Sequence, residues 1–239
     1  MRTVLVTGGG GAIGAAICRR FSKQYNLLVA DKNREAAERV AKEIGGTALV
    51  FDISRYADAR AALASHRVDI LVNNAGWDRF QNFADTKPDD WDALIDINLR
   101  GPLNMHHLVI PGMIQRNSGR IVNISSDAAR VGSSGEAVYS ACKGGIIAFS
   151  KTLAREVARK GITVNVVCPG PTDTPILRGF LGEGEAGQKV YDALVRAIPM
   201  KRIGQPEDIP GIVAFLASDE AAFITGQVIS VSGGLTMAG

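Results

Sequence analysis

The sequence has few cysteines and lacks any long hydrophobic run. Its 239 residues include 3 cysteines, and neither their odd number nor their wide spacing suits a disulfide framework or a metal site. We therefore expect a reduced, cytoplasmic setting and no bound metal. Every apolar run is too short for a membrane-spanning helix, and the first predicted strand begins too early for a signal peptide, so we expect no membrane association.

The chain also lacks a strong excess of charge of either sign. Its formal net charge is +3, and lysine and arginine form no dense cluster, which argues against a nucleic-acid partner. The hydrophobic fraction of 46% is that of an ordinary globular protein, and the length suits one α/β domain with a large core. We therefore expect a single domain over residues 1–239.

Short apolar segments alternate with helical patterns along the chain. The predicted strands are residues 3–7, 27–30, 48–51, 69–73, 120–125, 163–167 and 227–231. The predicted helices are residues 12–25, 34–44, a segment from 88 past 98, a segment after 102, and residues 138–159. This alternation predicts an α/β fold, a Rossmann-type doubly wound parallel sheet of about seven strands flanked by helices.

One stretch, residues 172–199, does not follow this alternation. Its glycine-rich tract at 182–187 predicts a poor helix. Because the stretch directly follows the sixth predicted strand, at the end of the sheet where ligands bind, we expect a mobile substrate lid. The alternative is a solvated surface loop.

A glycine-rich turn joins the first predicted strand to the first predicted helix. Residues 7–14 read Thr-Gly-Gly-Gly-Gly-Ala-Ile-Gly. Glycine allows a sharp turn and a close approach to a ligand, and a helix N-terminus offers free N–H groups to a pyrophosphate. This position predicts a dinucleotide site, whose residues are Gly8, Gly10, Gly11, Ala12, Ile13 and Gly14.

Acidic residues end the second and third predicted strands. A carboxylate at Asp31 suits the two ribose hydroxyls of an adenosine and repels a 2′-phosphate, which favours NAD over NADP. Alternatively, Asp31 only caps the next helix. Asp52 and Ile53 are predicted to contact the adenine, although Asp52 is also a candidate N-cap.

Tyr139 and Lys143 lie four residues apart, which places them on one face of a helix. A positive charge beside a phenol lowers its pKa, so this tyrosine is a candidate general base near neutral pH. Taken alone, such a pair is typical of any helix surface, and it is the glycine-rich turn that favours a chemical role. Ser126 lies thirteen residues before Tyr139.

Together these features resemble the short-chain dehydrogenase/reductase family over the whole chain. The similar motifs are residues 7–14, residues 73–76, Asn98, Ser126 with Tyr139 and Lys143, and Pro169-Gly170. The sequence departs from the family pattern at Ala12, where the family usually has glycine.

The resemblance implies catalytic roles. Tyr139 would be the general acid/base, with Lys143 lowering its pKa and holding the nicotinamide ribose. Ser126 would bind the substrate oxygen, and Asn98 would position Lys143 through a water. The resemblance also implies that the chain forms a homotetramer. It implies NAD contacts from Asn74, Ala75, Gly76, Tyr139, Lys143, Pro169, Gly170, Thr172 and Thr174.

A narrower likeness concerns the substrate. Residues 73–78, 105–107, 126–137 and 231–237 are similar to 2-hydroxycyclohexanecarboxyl-CoA dehydrogenases of alicyclic and aromatic acid degradation. This likeness implies oxidation of a secondary alcohol beside a CoA thioester. Ser133, Ser134 and Glu136 are then expected to contact the substrate, together with Ser126 and Tyr139; the alternative is a purely structural turn.

Other functions fit the same motifs. A 3-oxoacyl-thioester reductase acting on acyl carrier protein or CoA substrates has the same motifs but typically prefers NADPH, which Asp31 disfavours. A dehydrogenase of another cyclic or aryl secondary alcohol is a broader possibility. A non-catalytic dinucleotide sensor is disfavoured because Ser126, Tyr139 and Lys143 are all present.

Overall fold

The chain folds around one parallel β-sheet. A computed structural model describes residues 1–182 and 184–238. The strands are β1 (Thr3–Thr7), β2 (Asn26–Asp31), β3 (Thr47–Val50), β4 (Ile70–Asn73), β5 (Gly119–Ile124), β6 (Ile162–Pro169) and β7 (Val228–Val231). Across these described ranges, the seven strands pair in the order β3-β2-β1-β4-β5-β6-β7, all parallel, which confirms the predicted fold class.

Helices connect the strands and cover both faces of the sheet. They are α1 (Ala12–Phe21), α2 (Arg34–Ile44), α3 (Tyr56–Leu63), α4 (Pro88–Ile95), α5 (Gly101–Arg116), α6 (Ala128–Val131), α7 (Ala137–Val157), α8 (Pro175–Leu181), α9 (Gly184–Ala197) and α10 (Pro210–Ala217). A π-helical segment, Asp96–Arg100, joins α4 to α5. None of the helices in the described residues has the length and apolarity that crossing a bilayer requires.

Side chains alternate in direction along the strands, and this divides the hydrophobic core into two halves, one on each face of the sheet. Val4 and Val6 of β1 pack with α1, α2 and α10 on one face, while Leu5 between them packs with α3, α5 and α7 on the other. Successive side chains of a strand point to opposite faces, and here both faces are covered. The central strands are therefore apolar throughout, and their carboxyl ends are left free for a site.

Residues 172–199 differ from the prediction, because they contain the helices α8 and α9 instead of an irregular stretch. Thr174 caps α8, its hydroxyl accepting the N–H of Leu177 at 3.4 Å. Gly187 sits where a Cβ would come within 2.6 Å of the carbonyl oxygen of Gly182. The glycine therefore allows α9 to approach the end of α8 closely, instead of preventing a helix. Whether the segment moves as a lid stays a prediction.

Candidate active site

A cavity of about 820 Å³ opens at the carboxyl ends of the strands. It extends from the glycine-rich turn after β1, past the ends of β2, β3 and β4, to α7 and the end of β6. Ligands of open α/β sheets bind at this edge. The residues predicted for a dinucleotide and those predicted for catalysis therefore line one continuous space.

The glycine-rich turn folds tightly against the start of α1. Gly8 has a left-handed φ of 62°, and a Cβ on Gly14 would lie 2.1 Å from the carbonyl oxygen of Gly8. Gly11 occupies the N-cap and has no side chain to bond the N–H groups of the first turn. Ala12 is the first residue of α1 and lines the cavity with Ile13. The helix start thus offers free backbone donors to an anion.

Asn74 fastens this turn to the end of β4. Its side-chain nitrogen donates to the carbonyl oxygens of Thr7 and Gly8, each at 3.1 Å. The N–H groups of Asn74 and Ala75 both donate to the hydroxyl of Thr7, at 3.1 and 3.2 Å. Asn74, Ala75 and Gly76 also line the cavity. The amide of Asn74 is therefore used to position the turn.

Asp31 lies at the end of β2 with both carboxylate oxygens engaged. One oxygen accepts the N–H of Asn33 at 2.9 Å, and the other accepts the N–H of Gly10 at 3.0 Å. Asp31 does not cap α2, because Asn33 occupies the N-cap and its side chain accepts the N–H of Ala36. Each oxygen of Asp31 keeps a further lone pair, so this carboxylate remains an acceptor facing the cavity. Over the described residues the cavity lining omits Gly10, whose N–H is directed at Asp31.

Asp52 and Ile53 line the cavity after β3. One carboxylate oxygen of Asp52 accepts both the N–H and the hydroxyl of Ser54, at 2.9 and 2.7 Å. Asp52 therefore closes a local turn and is not a helix N-cap, because Arg55 occupies that position of α3. Its place in the lining leaves Asp52 able to contact a ligand.

Tyr139 and Lys143 lie side by side on α7. The ammonium nitrogen of Lys143 is 5.6 Å from the centre of the Tyr139 ring and donates to the carbonyl oxygen of Ile124 at 3.0 Å. Lys143 is only 4% exposed, and this burial lowers its pKa to about 8. Its charge is therefore held over the ring, directed at a backbone oxygen.

The pKa of Tyr139 shifts in the direction opposite to the one predicted. Burial raises its pKa, the negative charges of Asp78 and Glu136 raise it further, and a hydrogen bond with Ser126 lowers it. The prediction considered only the positive charge of Lys143 and left out the burial of the phenol and the two nearby carboxyls. In this structure Tyr139 stays protonated at neutral pH.

Asn98 is fully buried in the π-helical segment. Its side-chain nitrogen donates to the carbonyl oxygens of Trp77 and Leu94, at 2.7 and 3.0 Å, and its oxygen accepts the N–H of Trp77 at 3.2 Å. A Cβ on Gly76 would lie 3.0 Å from this oxygen and 3.1 Å from the Lys143 nitrogen. Asn98 and Lys143 therefore approach one another across Gly76.

The two serines after β5 have different surroundings. The hydroxyl of Ser125 is buried and donates to the carbonyl oxygen of Lys143 at 3.0 Å, which fixes α7 against the strand. The hydroxyl of Ser126 accepts the N–H of Ala128 at 3.2 Å and lies in the cavity wall beside Tyr139. Ser126 is thus the serine placed to meet a ligand.

The remaining predicted site residues lie at the end of β6 and in the segment before α7. Pro169, Gly170, Thr172 and Thr174 follow β6 and line the cavity. The hydroxyl of Thr172 donates to the carbonyl oxygen of Gly170 at 2.9 Å, which closes a tight turn. Ser133 and Glu136 also line the cavity. Ser134 is exposed and is not part of the lining found over the described residues.

Several lining residues were not among the predicted site residues. Asp78 lies two residues after Gly76, and this position at the end of β4 is the one local signal that was available. Phe80 and the α8 residue Phe180 stack with ring centres 3.9 Å apart, and both line the cavity. No local pattern predicts a contact between residues so far apart in sequence. Thr236 joins the wall from the C-terminal segment.

Comparisons with known proteins agree with this geometry. The family model described as Enoyl-(Acyl carrier protein) reductase matches residues 10–236. The chain is 42% identical to an acetoacetyl-CoA reductase of Shinella zoogloeoides, over 98% of both chains. It is 34% identical to the 3-oxoacyl-[acyl-carrier-protein] reductase FabG of Thermotoga maritima, over 99% of this chain and 98% of that protein.

A solved structure is also similar to this chain in both sequence and fold. The 3-oxoacyl-[acyl-carrier protein] reductase with bound NAD from Brucella melitensis superposes with a TM-score of 0.91 and 33% identity, over 99% of this chain and 92% of that one. Both the sequence and the fold are thus matched over nearly the whole chain. The chain therefore belongs to the short-chain dehydrogenase/reductase family and is an oxidoreductase that acts on CH–OH or keto groups.

Proposed function

We propose that this oxidoreductase interconverts a ketone and a secondary alcohol on an acyl thioester, with NAD as its cofactor and a 3-oxoacyl thioester as the ketone. The observation that carries the proposal is that Ser126, Tyr139 and Lys143 line the same cavity as the glycine-rich turn. The relatives named above are reductases of acetoacetyl-CoA and of 3-oxoacyl-[acyl-carrier protein]. Their names favour a 3-oxoacyl thioester over the alicyclic thioester suggested by the narrower likeness.

The cavity residues fit a nicotinamide dinucleotide. A Cβ on Gly8 would lie 2.8 Å from the Cα of Ala75, so the turn is a tight backbone cradle at the start of α1. The carboxylate of Asp31 favours the ribose hydroxyls of NAD over the 2′-phosphate of NADP. When bound, the cofactor supplies the hydride donor or acceptor. Asp52, Ile53, Thr172 and Thr174 complete the walls of this part of the cavity.

Tyr139 is proposed to be the proton donor in the reduction of the ketone. Because burial raises its pKa, the phenol is protonated at neutral pH and can give its proton to the oxygen of the substrate. The hydroxyl of Ser126, in the same wall, donates a hydrogen bond to that oxygen while negative charge develops on it. In the reverse direction Tyr139 accepts the proton of the alcohol.

Lys143 and Asn98 are proposed to support Tyr139. The burial that lowers the pKa of Lys143 to about 8 leaves it mostly charged at neutral pH but able to exchange its proton. Asn98 is held by two backbone carbonyls, so its oxygen is directed at the space beside Gly76 and Lys143. These two side chains would return a proton to Tyr139 after each turnover, and Lys143 would also hold the nicotinamide ribose.

A second candidate substrate is 2-hydroxycyclohexanecarboxyl-CoA. The segments 73–78 and 126–137, which resemble the dehydrogenases of that thioester, meet in the cavity through Asp78 and Glu136. The stacked pair Phe80 and Phe180 adds an apolar wall that suits a ring. This arrangement is the reason for testing the cyclic thioester beside the straight-chain one.

The predicted homotetramer is also a proposal. The segment 223–237 leaves large apolar side chains open to solvent, with Phe223 103% and Met237 82% exposed. Exposed apolar surface of this kind is typical of subunit interfaces. Light scattering of the purified protein measures the assembly directly, and a monomer would contradict this proposal while leaving the chemistry intact.

The function is tested by steady-state rates with both cofactors and both thioesters. We expect reduction of acetoacetyl-CoA with NADH to be faster than with NADPH, and oxidation of 3-hydroxybutyryl-CoA with NAD. Oxidation of 2-hydroxycyclohexanecarboxyl-CoA alone would support the second candidate. Turnover of neither thioester, in protein that binds NADH, would refute the proposed substrate class. Tyr139→Phe serves as the inactive control.

A further inference from the structure

Two carboxyl groups meet in the cavity beside Tyr139 and are not used by the mechanism above. Asp78 follows β4, Glu136 is the N-cap residue of α7, and both side chains line the cavity with Tyr139. The N–H of Gln81 donates to the carbonyl oxygen of Gly135 at 2.9 Å, which holds the two segments together. One carboxylate oxygen of Asp78 accepts the N–H of Arg79 at 2.7 Å. The other oxygen is buried, and among the described residues no donor bonds it.

The surroundings of Asp78 disfavour its charged form. Burial, and after it the carboxyl of Glu136, raise the pKa of Asp78 to about 7, although the N–H of Arg79 and the positive charge of Lys143 act to lower it. The charge that Asp78 carries when ionised therefore faces the cavity beside a second carboxyl group, that of Glu136. We call these two residues the carboxyl pair.

The cations near the carboxyl pair are already engaged. Lys143 is buried and donates to the carbonyl oxygen of Ile124. The guanidinium of Arg79, the residue next to Asp78, bonds the carboxylate of Asp90. These cations therefore offset the charge of the carboxyl pair only partly. The cavity wall around the pair also includes the apolar rings of Phe80 and Phe180. Water screens charges poorly in such a space.

We propose that the carboxyl pair is a specificity determinant, which repels substrates with a carboxylate near the reacting carbon and admits uncharged acyl derivatives. This inference rests on the proposed function and deepens it. A free 3-oxo acid carries a full negative charge where a thioester carries none. The carboxyl pair would thus make the enzyme select the thioester over the free acid even before the carrier group is recognised.

The test compares acetoacetate with acetoacetamide, two 3-oxo compounds of nearly equal size that differ in charge. With NADH, we expect wild type to favour the amide in kcat/KM, and Asp78→Asn/Glu136→Gln to reduce that preference by about tenfold, the order expected for one charge repulsion in a poorly screened site. Both compounds need the same proton donor, so a change in Tyr139 cancels in the ratio. Asp89→Asn, an exposed carboxylate outside the cavity, is the matched control.

Binding separates this inference from the proposed function. Quenching of NADH fluorescence gives dissociation constants of both compounds for the enzyme–NADH complex without turnover. If acetoacetyl-CoA is not reduced but the variants still lose charge selectivity in binding, the proposed function fails and the inference stands. An amide-to-acid ratio that is unchanged in the double variant, or in Asp78→Asn and Glu136→Gln singly if the double variant does not fold, overturns the inference. So does an equal change in Asp89→Asn.

Discussion

Gly76 separates two of the proposed catalytic side chains, and Gly76→Ala tests whether their positions matter. The added Cβ would lie 3.0 Å from the oxygen of Asn98 and 3.1 Å from the nitrogen of Lys143. Both distances are shorter than ordinary van der Waals contacts, so the two side chains must move by a few tenths of an ångström. Gly76 itself is exposed and does not have the left-handed φ that would favour glycine. The strain therefore falls on the site and not on the backbone.

The expected effect is a loss of kcat with little loss of stability. A displacement of about 1 Å in a catalytic group costs roughly 100-fold in rate, so a few tenths of an ångström should cost about tenfold. The free energy of unfolding should change by less than about 1 kcal/mol, because no buried apolar group is removed. Steady-state kinetics with acetoacetyl-CoA and NADH, together with urea unfolding, measure both quantities.

Gly211→Ala is the matched control, since its Cβ would meet no atom of the described residues within 4 Å. It lies in α10, where alanine should stabilise the helix by up to about 1 kcal/mol without changing kcat. Wild-type kcat in Gly76→Ala would refute the proposed dependence on Asn98 and Lys143. A loss confined to the dissociation constant of NADH would mean that the methyl group obstructs the cofactor instead.

Three further predictions concern single side chains. Tyr139→Phe should abolish turnover and leave the dissociation constant of NADH nearly unchanged, because only the proton donor is lost; residual rates near wild type would remove Tyr139 from the mechanism. Asp31→Ala should raise the KM for NAD and narrow the difference between the KM values for NAD and NADP in parallel kinetic assays, whereas an unchanged difference would leave Asp31 only its bonds to Gly10 and Asn33. Asp78→Asn should lower the pKa of Tyr139, because a negative charge that raises it is removed; the acid limb of the kcat profile for alcohol oxidation should therefore move to lower pH, and a fixed limb would contradict this.

The fold and the location of the site follow from local sequence patterns. β1 and β4 are short apolar runs, and such runs alternating with helical patterns leave a parallel sheet as the expected architecture. The glycine-rich turn and Asp31 each follow a strand, and parallel strands bring their carboxyl ends to one edge. Functional residues that directly follow strands therefore lie close together, however the helices are arranged. This is why distant motifs could be assigned to one cavity.

The walls of the cavity depend on packing that no local pattern encodes. The sequence Pro-Gly-Ile-Val-Ala-Phe-Leu-Ala of α10 is apolar on every side, so it lacks the periodicity that marks a surface helix. The stack of Phe80 on Phe180 joins the segment after β4 to α8. Both features exist because tertiary contacts stabilise them, and both were missed for that reason.

The pKa of Tyr139 cannot be predicted from its spacing to Lys143 alone. The four-residue spacing correctly places Lys143 beside the phenol, yet burial acts on both groups and favours the uncharged form of each. The two carboxyls that raise the pKa of Tyr139 further come from Asp78, more than sixty residues away in sequence, and from Glu136. A protonated Tyr139 suits a ketone reductase, since it holds the proton that the substrate needs. The same burial would oppose alcohol oxidation at neutral pH, so the rate of oxidation should rise with pH more steeply than the rate of reduction falls.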